Sequence, residues 1–222
     1  MTSHAIHTTS THPAPRWQKA ISRVAADGLT LATRLMLTPH VTWQAAPPAV
    51  GQPVIYYANH TSHSDTLLVR AALPGPLRPS LSPVAAQDFW GKTAFRQSLA
   101  EQGLNATLIA RSGRAMVDGF AHMKNRLTVG HSLLIYPEGT RGDTEDPTRF
   151  RCGLHRLAKS CPDIPLVPVR IDRAVRVLPK GFRLPIPLPC RVTFCPPLRP
   201  LSDDENCNDF LSRARDALNR KI

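Results

Sequence analysis

The sequence predicts a single-domain α/β fold, a sandwich in which a mostly parallel mixed sheet is flanked by helices and preceded by an N-terminal amphipathic helix. Short apolar runs alternate along the chain with segments whose apolar residues recur every three or four positions, the pattern of strands alternating with helices. The 222 residues suffice for one substantial domain, and neither an internal repeat nor a second domain boundary interrupts them.

The N-terminal region divides into a polar tail and a helix. Residues 1–15 are polar and are predicted to form a disordered tail. Residues 16–38 are predicted to form an amphipathic helix, because apolar residues recur from Trp17 to Met36 at three- and four-residue spacing. Two roles fit this helix. It either packs on the domain that residues 39–222 form, or lies in a membrane interface, which suits a basic helix led by Trp.

The elements of the main domain follow from apolar runs and their terminators. A capping box from Ser202 to Glu205 is predicted to open the last helix. Residues 39–48 are predicted to be a linker, and Cys190–Phe194 an edge strand in a proline-rich loop, because proline cannot donate to a central ladder. Strands are expected at 53–58, 84–86, 107–110, 132–136 and 164–171, and helices at 66–73, 91–101, 115–129, 153–160 and 202–220.

The chain is strongly basic, with 28 Lys and Arg residues against 16 Asp and Glu and a formal charge of +12. This excess favours an anionic partner: nucleic acid, an acidic protein, a phosphorylated small molecule or an anionic membrane surface. Aromatic residues make up only 6% and do not interleave with basic ones, which argues against a nucleic-acid binder built on stacking. The five cysteines form no CxxC pair, so they indicate a reducing compartment rather than a disulfide framework or a zinc site.

Reactive side chains gather in three stretches, each just beyond a predicted strand. If these strands are neighbours in one sheet, the three stretches converge at one edge, where open α/β folds usually place their sites. The residues are His60 and Asp65 in the first stretch, Arg111 in the second, and Glu138, Gly139, Thr140 and Arg141 in the third.

The combination of these groups indicates their chemistry. A His paired with a carboxylate, without an evident Ser or Cys nucleophile, suits activation of a hydroxyl group on the substrate itself. Guanidinium groups suit a phosphate dianion. The residues therefore predict acyl transfer to an acceptor alcohol without a covalent enzyme intermediate, and without a metal or other cofactor.

Three other interpretations remain open at this point. The stretch from His60 to Asp65 also has the composition of a polar turn in which Asp or Ser caps the next helix. His60, His63 and Asp65 are residue types that ligate metals, as in a metal-dependent hydrolase, although no further His and Asp cluster accompanies them. The positive charge also fits a basic nucleic-acid-binding protein, although no nucleic-acid-binding motif is recognisable.

Four stretches resemble motifs of the glycerolipid acyltransferase family, which includes lysophosphatidic-acid acyltransferases. Asn59 to Asp65 resembles the first motif, NHxxxxD, and Tyr136–Arg141 resembles the third, FPEGTR, with Tyr for Phe. Ile164–Val169 is similar to the proline-containing fourth motif. The second motif is imperfect, since Leu108–Arg111 supplies its apolar pair and Arg, but Asn105 stands where Gly is usual. The resemblance covers about residues 50–175.

The resemblance implies a role for each site residue. His60 would be the general base that takes the proton of the acceptor hydroxyl, and Asp65 would orient it. Glu138 has a possible structural role instead, which is to pair with Arg141. For Thr140 the structural role would be to cap a turn. The residues implied to hold the phosphate and glycerol part of the acceptor are Arg111, Glu138, Gly139, Thr140 and Arg141.

The resemblance also implies substrates and location. The donor would be acyl-CoA or acyl carrier protein, and the acceptor 1-acyl-glycerol-3-phosphate, in phospholipid biosynthesis, or else a lyso-aminolipid such as lyso-ornithine lipid. No apolar run approaches the roughly 20 residues of a spanning helix, and no signal-peptide core follows Met1. We therefore expect a cytoplasmic enzyme attached peripherally to the cytoplasmic face of a membrane, with no nucleic-acid partner.

Overall fold

The computed structural model describes residues 16–62, 64–110, 113–142, 144–147, 149–174 and 188–220. The helices in these ranges are α1 (Arg16–Leu37), α2 (Asp65–Ala72), α3 (Gln87–Trp90), α4 (Ala94–Ser98), α5 (Arg114–Thr128), α6 (Gly153–Ser160) and α7 (Cys207–Asn219). The strands are β1 (His40–Trp43), β2 (Ile55–Ala58), β3 (Leu81–Ala86), β4 (Thr107–Ile109), β5 (Ser132–Ile135), β6 (Leu166–Asp172) and β7 (Arg191–Phe194). Two shorter elements are a 3₁₀ turn (Gly75–Leu77) and a π-helical turn (Leu99–Gly103).

The strands form one sheet in the order β1-β7-β6-β2-β5-β3-β4. The five strands from β6 to β4 run parallel to one another, whereas β7 runs antiparallel to β6 and parallel to β1. This arrangement confirms the predicted mostly parallel mixed sheet flanked by helices. Because β2 and β5 are adjacent and parallel, with Tyr57 opposite Ile135, their carboxyl ends open at the same edge of the sheet.

The sheet is the middle layer between two sets of helices. Tyr56 and Ala58 of β2 belong to the apolar cluster shared with α2 and the end of α1. Ile55 and Tyr57 belong to the cluster on the other side, shared with α5, α6 and α7. All four residues are buried, which explains why β2 reads in the sequence as a continuous apolar run. The strand is therefore held on both faces, and it positions the loop that follows it.

Two predictions about the sheet margin are wrong. Residues 39–48, predicted to be a linker, contain β1, which pairs with β7. Cys190–Phe194, predicted to hold an edge strand, contains β7, which lies between β1 and β6. The physical reason is a long-range contact: the rings of Trp43 and Phe194 stack with centroids 3.8 Å apart. The prolines lie on either side of β7 and leave its ladder intact.

The predicted start of the last helix is also wrong. Helix α7 begins at Cys207, and its N-cap is Asn206, whose side-chain oxygen accepts the Asn208 and Asp209 amide protons at 2.9 and 3.0 Å. Ser202 and Glu205 instead form a turn before the helix, in which the Glu205 amide donates to the Ser202 carbonyl oxygen. An Asx cap closer to the helix thus replaces the capping box.

Helix α1 packs on the domain through its small side chains. Gly103 of the π-helical turn lies so close that an added Cβ atom would be 2.6 Å from the Ser22 carbonyl oxygen. Arg70 of α2 holds the same face through a 3.2 Å bond from Nε to Thr30 Oγ1. The buried residues of α1 recur at three- and four-residue spacing and are Ser22, Ala26, Thr30, Thr33 and Leu37.

The opposite side of α1 carries an apolar stripe that faces solvent. Sequence periodicity predicts that these residues share one side of the helix, but not what that side faces. In the structure it faces away from the rest of the protein. Within the described ranges, no helix combines the length and hydropathy needed to cross a bilayer. The apolar stripe consists of Trp17, Ile21, Val24, Leu31 and Leu35, which are 58–73% exposed.

Candidate active site

The loops that follow β2 and β5 are joined directly. The His60 amide donates a 2.8 Å hydrogen bond to Oε1 of Glu138, and the Gly142 amide donates to the His60 carbonyl oxygen, also at 2.8 Å. Asn59 ties the first loop to β6, because its side chain accepts from the Ile171 amide and donates to the Ile171 carbonyl oxygen. The structure therefore brings the first and third polar stretches together at one sheet edge, as their position after parallel strands predicts.

His60 and Asp65 form a hydrogen-bonded pair in which the donor and the acceptor can be assigned. His60 Nδ1 lies 2.9 Å from Asp65 Oδ2, and the same oxygen accepts the amide protons of Thr61 and Ser62 at 2.7 and 2.9 Å. An ionised carboxylate only accepts hydrogen bonds, so Nδ1 carries the proton and Nε2 keeps its lone pair. Asp65 is fully buried, whereas the His60 side chain is 22% exposed. The described residues offer Nε2 no hydrogen bond, so it is open to a substrate.

The turn between β2 and α2 is shaped by this carboxylate. Asp65 is the first residue of α2, yet its side chain reaches back to the loop instead of capping the helix amides. Ser64, at the N-cap position, makes no side-chain capping bond. The interpretation of this stretch as a simple helix cap therefore does not describe what its side chains do.

Tyr136 fixes the plane of the His60 ring. The two rings stack with centroids 4.1 Å apart and an interplanar angle of 20°. The Tyr136 hydroxyl lies 3.0 Å from Thr66 Oγ1. Burial raises the pKa of Tyr136 well above its ordinary value, so the ring remains a neutral phenol against the imidazole. Tyr136, at the position where the third motif usually has Phe, thus makes an aromatic contact with His60 and is tethered to α2.

The Glu138 carboxylate contacts the backbone of the first loop and, among the described residues, no guanidinium group. This carboxylate accepts from the His60 amide, and the Glu138 carbonyl oxygen accepts from Arg151 Nε at 3.1 Å. Burial raises the pKa of the Glu138 carboxyl, and the bond from the His60 amide opposes that rise. Arg141 is exposed and makes no hydrogen bond or ion pair with the residues that the structure describes. The contact of Arg151 with Glu138 depends on the fold of the intervening loop, so the sequence does not predict it.

Gly139 has both a backbone and a packing reason to be glycine. Its φ is +75°, in the left-handed region that other residues rarely adopt. A Cβ atom there would lie 2.5 Å from Nε and 2.8 Å from Cδ of Arg151. A side chain at this position would therefore displace the guanidinium group that holds the Glu138 carbonyl oxygen.

Gly139→Ala is expected to lower the melting temperature by about 2–4 °C more than Gly51→Ala does. Both glycines have positive φ, but nothing lies within 4 Å of a Cβ atom at Gly51, so only Gly139→Ala also breaks the Arg151 contact. That contact is worth about 1 kcal/mol. Thermal unfolding of both variants measures the difference, and equal melting temperatures would contradict the proposed packing role.

The remaining predicted site residues are placed as follows. Thr140 and Arg141 are exposed in the loop after β5, on the same edge as His60. Arg111 and His63 lie outside the described residues. Strand β4, which precedes Arg111, is parallel to β5 with β3 between them, so it ends at the same edge. Among the residues that are described, no group of three His, Cys, Asp or Glu side chains is arranged to hold a metal ion.

Asn105, which stands where the second motif usually has Gly, has a backbone conformation that Gly also adopts. Its φ is +57°, a left-handed conformation that Asn tolerates better than most residues and that Gly adopts freely. It precedes β4, so it lies at the sheet edge opposite to His60. Its side-chain nitrogen lies 3.3 Å from both the Pro79 carbonyl oxygen and His131 Nδ1. The substitution therefore does not touch the described part of the His60 edge.

A mostly parallel α/β sheet with a His–carboxylate pair at its carboxyl edge fits the acyltransferase family that the sequence resembles. The acyltransferase family matches residues 38–172, more than half of the chain, and the chain belongs to this family. The crystal structure of the 1-acyl-sn-glycerophosphate (LPA) acyltransferase PlsC from Thermotoga maritima is similar in fold, with a TM-score of 0.63, 18% identity and coverage of 96% of this chain and 86% of that chain. No curated protein matches the chain at a significant level.

Proposed function

We propose that this acyltransferase moves a fatty acyl chain from a thioester, acyl-CoA or acyl carrier protein, to the free hydroxyl of 1-acyl-glycerol-3-phosphate in phospholipid biosynthesis. The observation that carries the proposal is the joined pair of loops: an accessible His60 Nε2, oriented by Asp65, lies in the loop that Glu138 binds to the stretch bearing Arg141. A base and a cation that has no partner among the described residues lie at one edge, and together they fit an acceptor that has both a hydroxyl and a phosphate.

The mechanism follows from the assignment of the His60 proton to Nδ1, which leaves the lone pair on Nε2. His60 Nε2 takes the proton of the acceptor hydroxyl as its oxygen attacks the thioester carbonyl carbon. Asp65 stabilises the imidazolium that forms, because its Oδ2 already accepts the Nδ1 proton. The tetrahedral intermediate collapses, the C–S bond breaks, and the imidazolium returns its proton to the departing sulfur. General-base catalysis of this kind contributes about 10²–10⁴-fold.

The acceptor phosphate is assigned to the loop after β5. Arg141 is exposed and has no partner among the described residues, and Thr140 beside it supplies a hydroxyl. Gly139 and Glu138 would shape this loop and place it against His60, and Arg111 would add a second cation from the end of β4. A lyso-aminolipid such as lyso-ornithine lipid is the alternative acceptor, and it lacks the phosphate that these cations suit.

Arg141→Gln is expected to raise KM for lysophosphatidic acid about tenfold with little change in kcat, because a charged hydrogen bond to the phosphate is lost from ground state and transition state alike. The same substitution should leave KM for lyso-ornithine lipid unchanged. Acyl-transfer assays with both acceptors and both thioester donors measure this, with the exposed Arg156→Gln as the charge-matched control. Faster transfer to lyso-ornithine lipid than to lysophosphatidic acid would overturn the acceptor assignment.

We further propose that the enzyme attaches peripherally to the cytoplasmic face of a membrane through α1. The apolar stripe supports this, because an exposed row of large apolar side chains on a basic helix is typical of interfacial anchors. The packing of α1 through its small side chains leaves that stripe available. Such attachment would hold the enzyme at the surface that contains its lipid acceptors.

Ile21→Ser/Val24→Ser/Leu35→Ser is expected to reduce binding to phospholipid vesicles at least tenfold, since a buried side chain of this size contributes roughly 1.5–3 kcal/mol. Vesicle sedimentation measures binding. The matched control is Val50→Ser/Val117→Ser/Val129→Ser, which alters residues of similar exposure outside α1. Equal losses in the two variants, or unchanged binding in the first, would contradict attachment through the apolar stripe.

A further inference from the structure

A cleft of about 760 Å³ opens at the sheet edge opposite to His60. It lies where β3, β4 and β5 begin, and the side of α1 forms one wall. Two carboxylates, Asp27 and Glu101, face it. They are outnumbered by four guanidinium groups, those of Arg23, Arg34, Arg70 and Arg78.

The inner two arginines are held in place by the fold. Arg70 is buried and donates to Thr30 Oγ1, to Asp27 Oδ1 and to the Arg78 carbonyl oxygen at 3.0–3.2 Å. Arg78 donates from Nε to the Leu73 carbonyl oxygen at 2.9 Å, which fixes the side chain at the end of α2. The floor of the cleft is therefore a pre-positioned pair of cations.

The positive charge in the cleft exceeds what its acids neutralise. Burial, followed by the nearby charges of Arg34 and Arg70, lowers the pKa of Arg78, and Asp27 opposes that effect. Arg23 and Arg34 are exposed, and their side chains pair with none of the residues that the structure describes. An anion in the cleft would relieve the repulsion among these guanidinium groups.

The cleft is continuous with the apolar stripe. Leu31 belongs to both, since it lines the cleft and is 58% exposed on the outer side of α1. Arg23 and Arg34 lie on the flank of α1 between the stripe and the buried face. An anionic group beside an apolar row is the chemistry of a phospholipid, whose phosphate would meet the arginines while its chains lie along the stripe.

We propose that this cleft binds the phosphate headgroup of an anionic membrane lipid that is not a substrate, at a site distinct from the catalytic edge. The proposal rests on the membrane attachment proposed above and adds headgroup selectivity to it. Attachment would then depend on lipid charge as well as on apolar insertion.

The test compares phosphatidylcholine vesicles with and without phosphatidylglycerol, at constant ionic strength. Arg23→Gln/Arg34→Gln is expected to lower affinity for the anionic vesicles about 30-fold, because each basic residue near an anionic surface contributes roughly fivefold. The control, Arg156→Gln/Arg191→Gln, removes the same charge from exposed positions outside the cleft and should change affinity less than about threefold.

Equal losses in the two double variants would assign the effect to overall charge and overturn the cleft as a site. Equal affinity for vesicles with and without phosphatidylglycerol would overturn the cleft as a lipid site, and would leave attachment through the apolar stripe intact. Inorganic phosphate distinguishes the source of the anion: thermal stabilisation by phosphate as strong as that by a short-chain phosphatidylglycerol would replace the lipid with a soluble anion. Acyl transfer to monomeric lysophosphatidic acid should stay at the parent level in both variants, so failure here and failure of the catalytic proposal are separate results.

Discussion

His60→Ala is expected to lower kcat for acyl transfer by a factor between about 10² and 10⁴, the usual contribution of a general base. We proposed the His60 imidazole as the base because its Nδ1 is bonded to Asp65 and its Nε2 has no partner among the described residues. KM for both substrates should change little, because the His60 ring is proposed to accept a proton and not to bind either substrate. Initial rates with lysophosphatidic acid and either thioester donor measure the effect.

The control for this substitution is His122→Ala, which removes an exposed imidazole on α5. It should retain the parent kcat. Thermal unfolding of His60→Ala shows whether the loss is catalytic, since the stacked ring on Tyr136 also contributes packing. A folded His60→Ala enzyme with kcat within a fewfold of the parent would rule out His60 as the base.

Asp65→Asn is expected to lower kcat about 10- to 100-fold, less than His60→Ala does. The backbone N–H groups of Thr61 and Ser62 can only donate hydrogen bonds. They therefore hold the side-chain oxygen of the Asn where Oδ2 was, and His60 keeps its proton on Nδ1. What is lost is the negative charge that stabilises the imidazolium, a charge-assisted bond of roughly 1.5–3 kcal/mol.

Asp65→Ala separates the catalytic role from the structural one. It leaves the Thr61 and Ser62 amides without their acceptor, at a cost of about 1–3 kcal/mol for each amide that stays buried, so it should also lower the melting temperature. Asp65→Asn keeps the oxygen that accepts from the two amides, so it should lower the melting temperature less than Asp65→Ala does. Parallel kinetics and thermal unfolding of the two variants check both statements. If Asp65→Asn retained full activity, the charge would have no part in catalysis.

The sequence predicts that the loops bearing His60 and Glu138 lie at one sheet edge, because the signals for this are local. The apolar runs before His60 and Glu138 mark strands, and parallel strands bring their carboxyl ends together. The contact between the His60 amide and the Glu138 carboxylate is not readable in the same way, since it depends on β2 and β5 being neighbours. The tether of Tyr136 to Thr66 has the same long-range origin.

The errors also have physical reasons. Prolines around β1 and β7 suggest loops, but the stack of Trp43 on Phe194 pairs these strands across most of the chain. For α1, periodicity identifies the apolar stripe but not its direction. The direction is set by small residues such as Ala26, which fit against Gly103, and by the bond from Arg70 to Thr30. Packing partners that are distant in sequence decide these features.

In the proposed reaction, His60 activates the acceptor hydroxyl directly, without an acyl-enzyme. The most direct test is the intact mass of the parent enzyme, mixed with acyl-CoA or acyl carrier protein in the absence of acceptor and quenched within the time of one turnover. We predict the unmodified mass of the chain with both donors. A stoichiometric increase by the mass of the acyl group, removed when lysophosphatidic acid is added, would show a covalent intermediate and contradict the account.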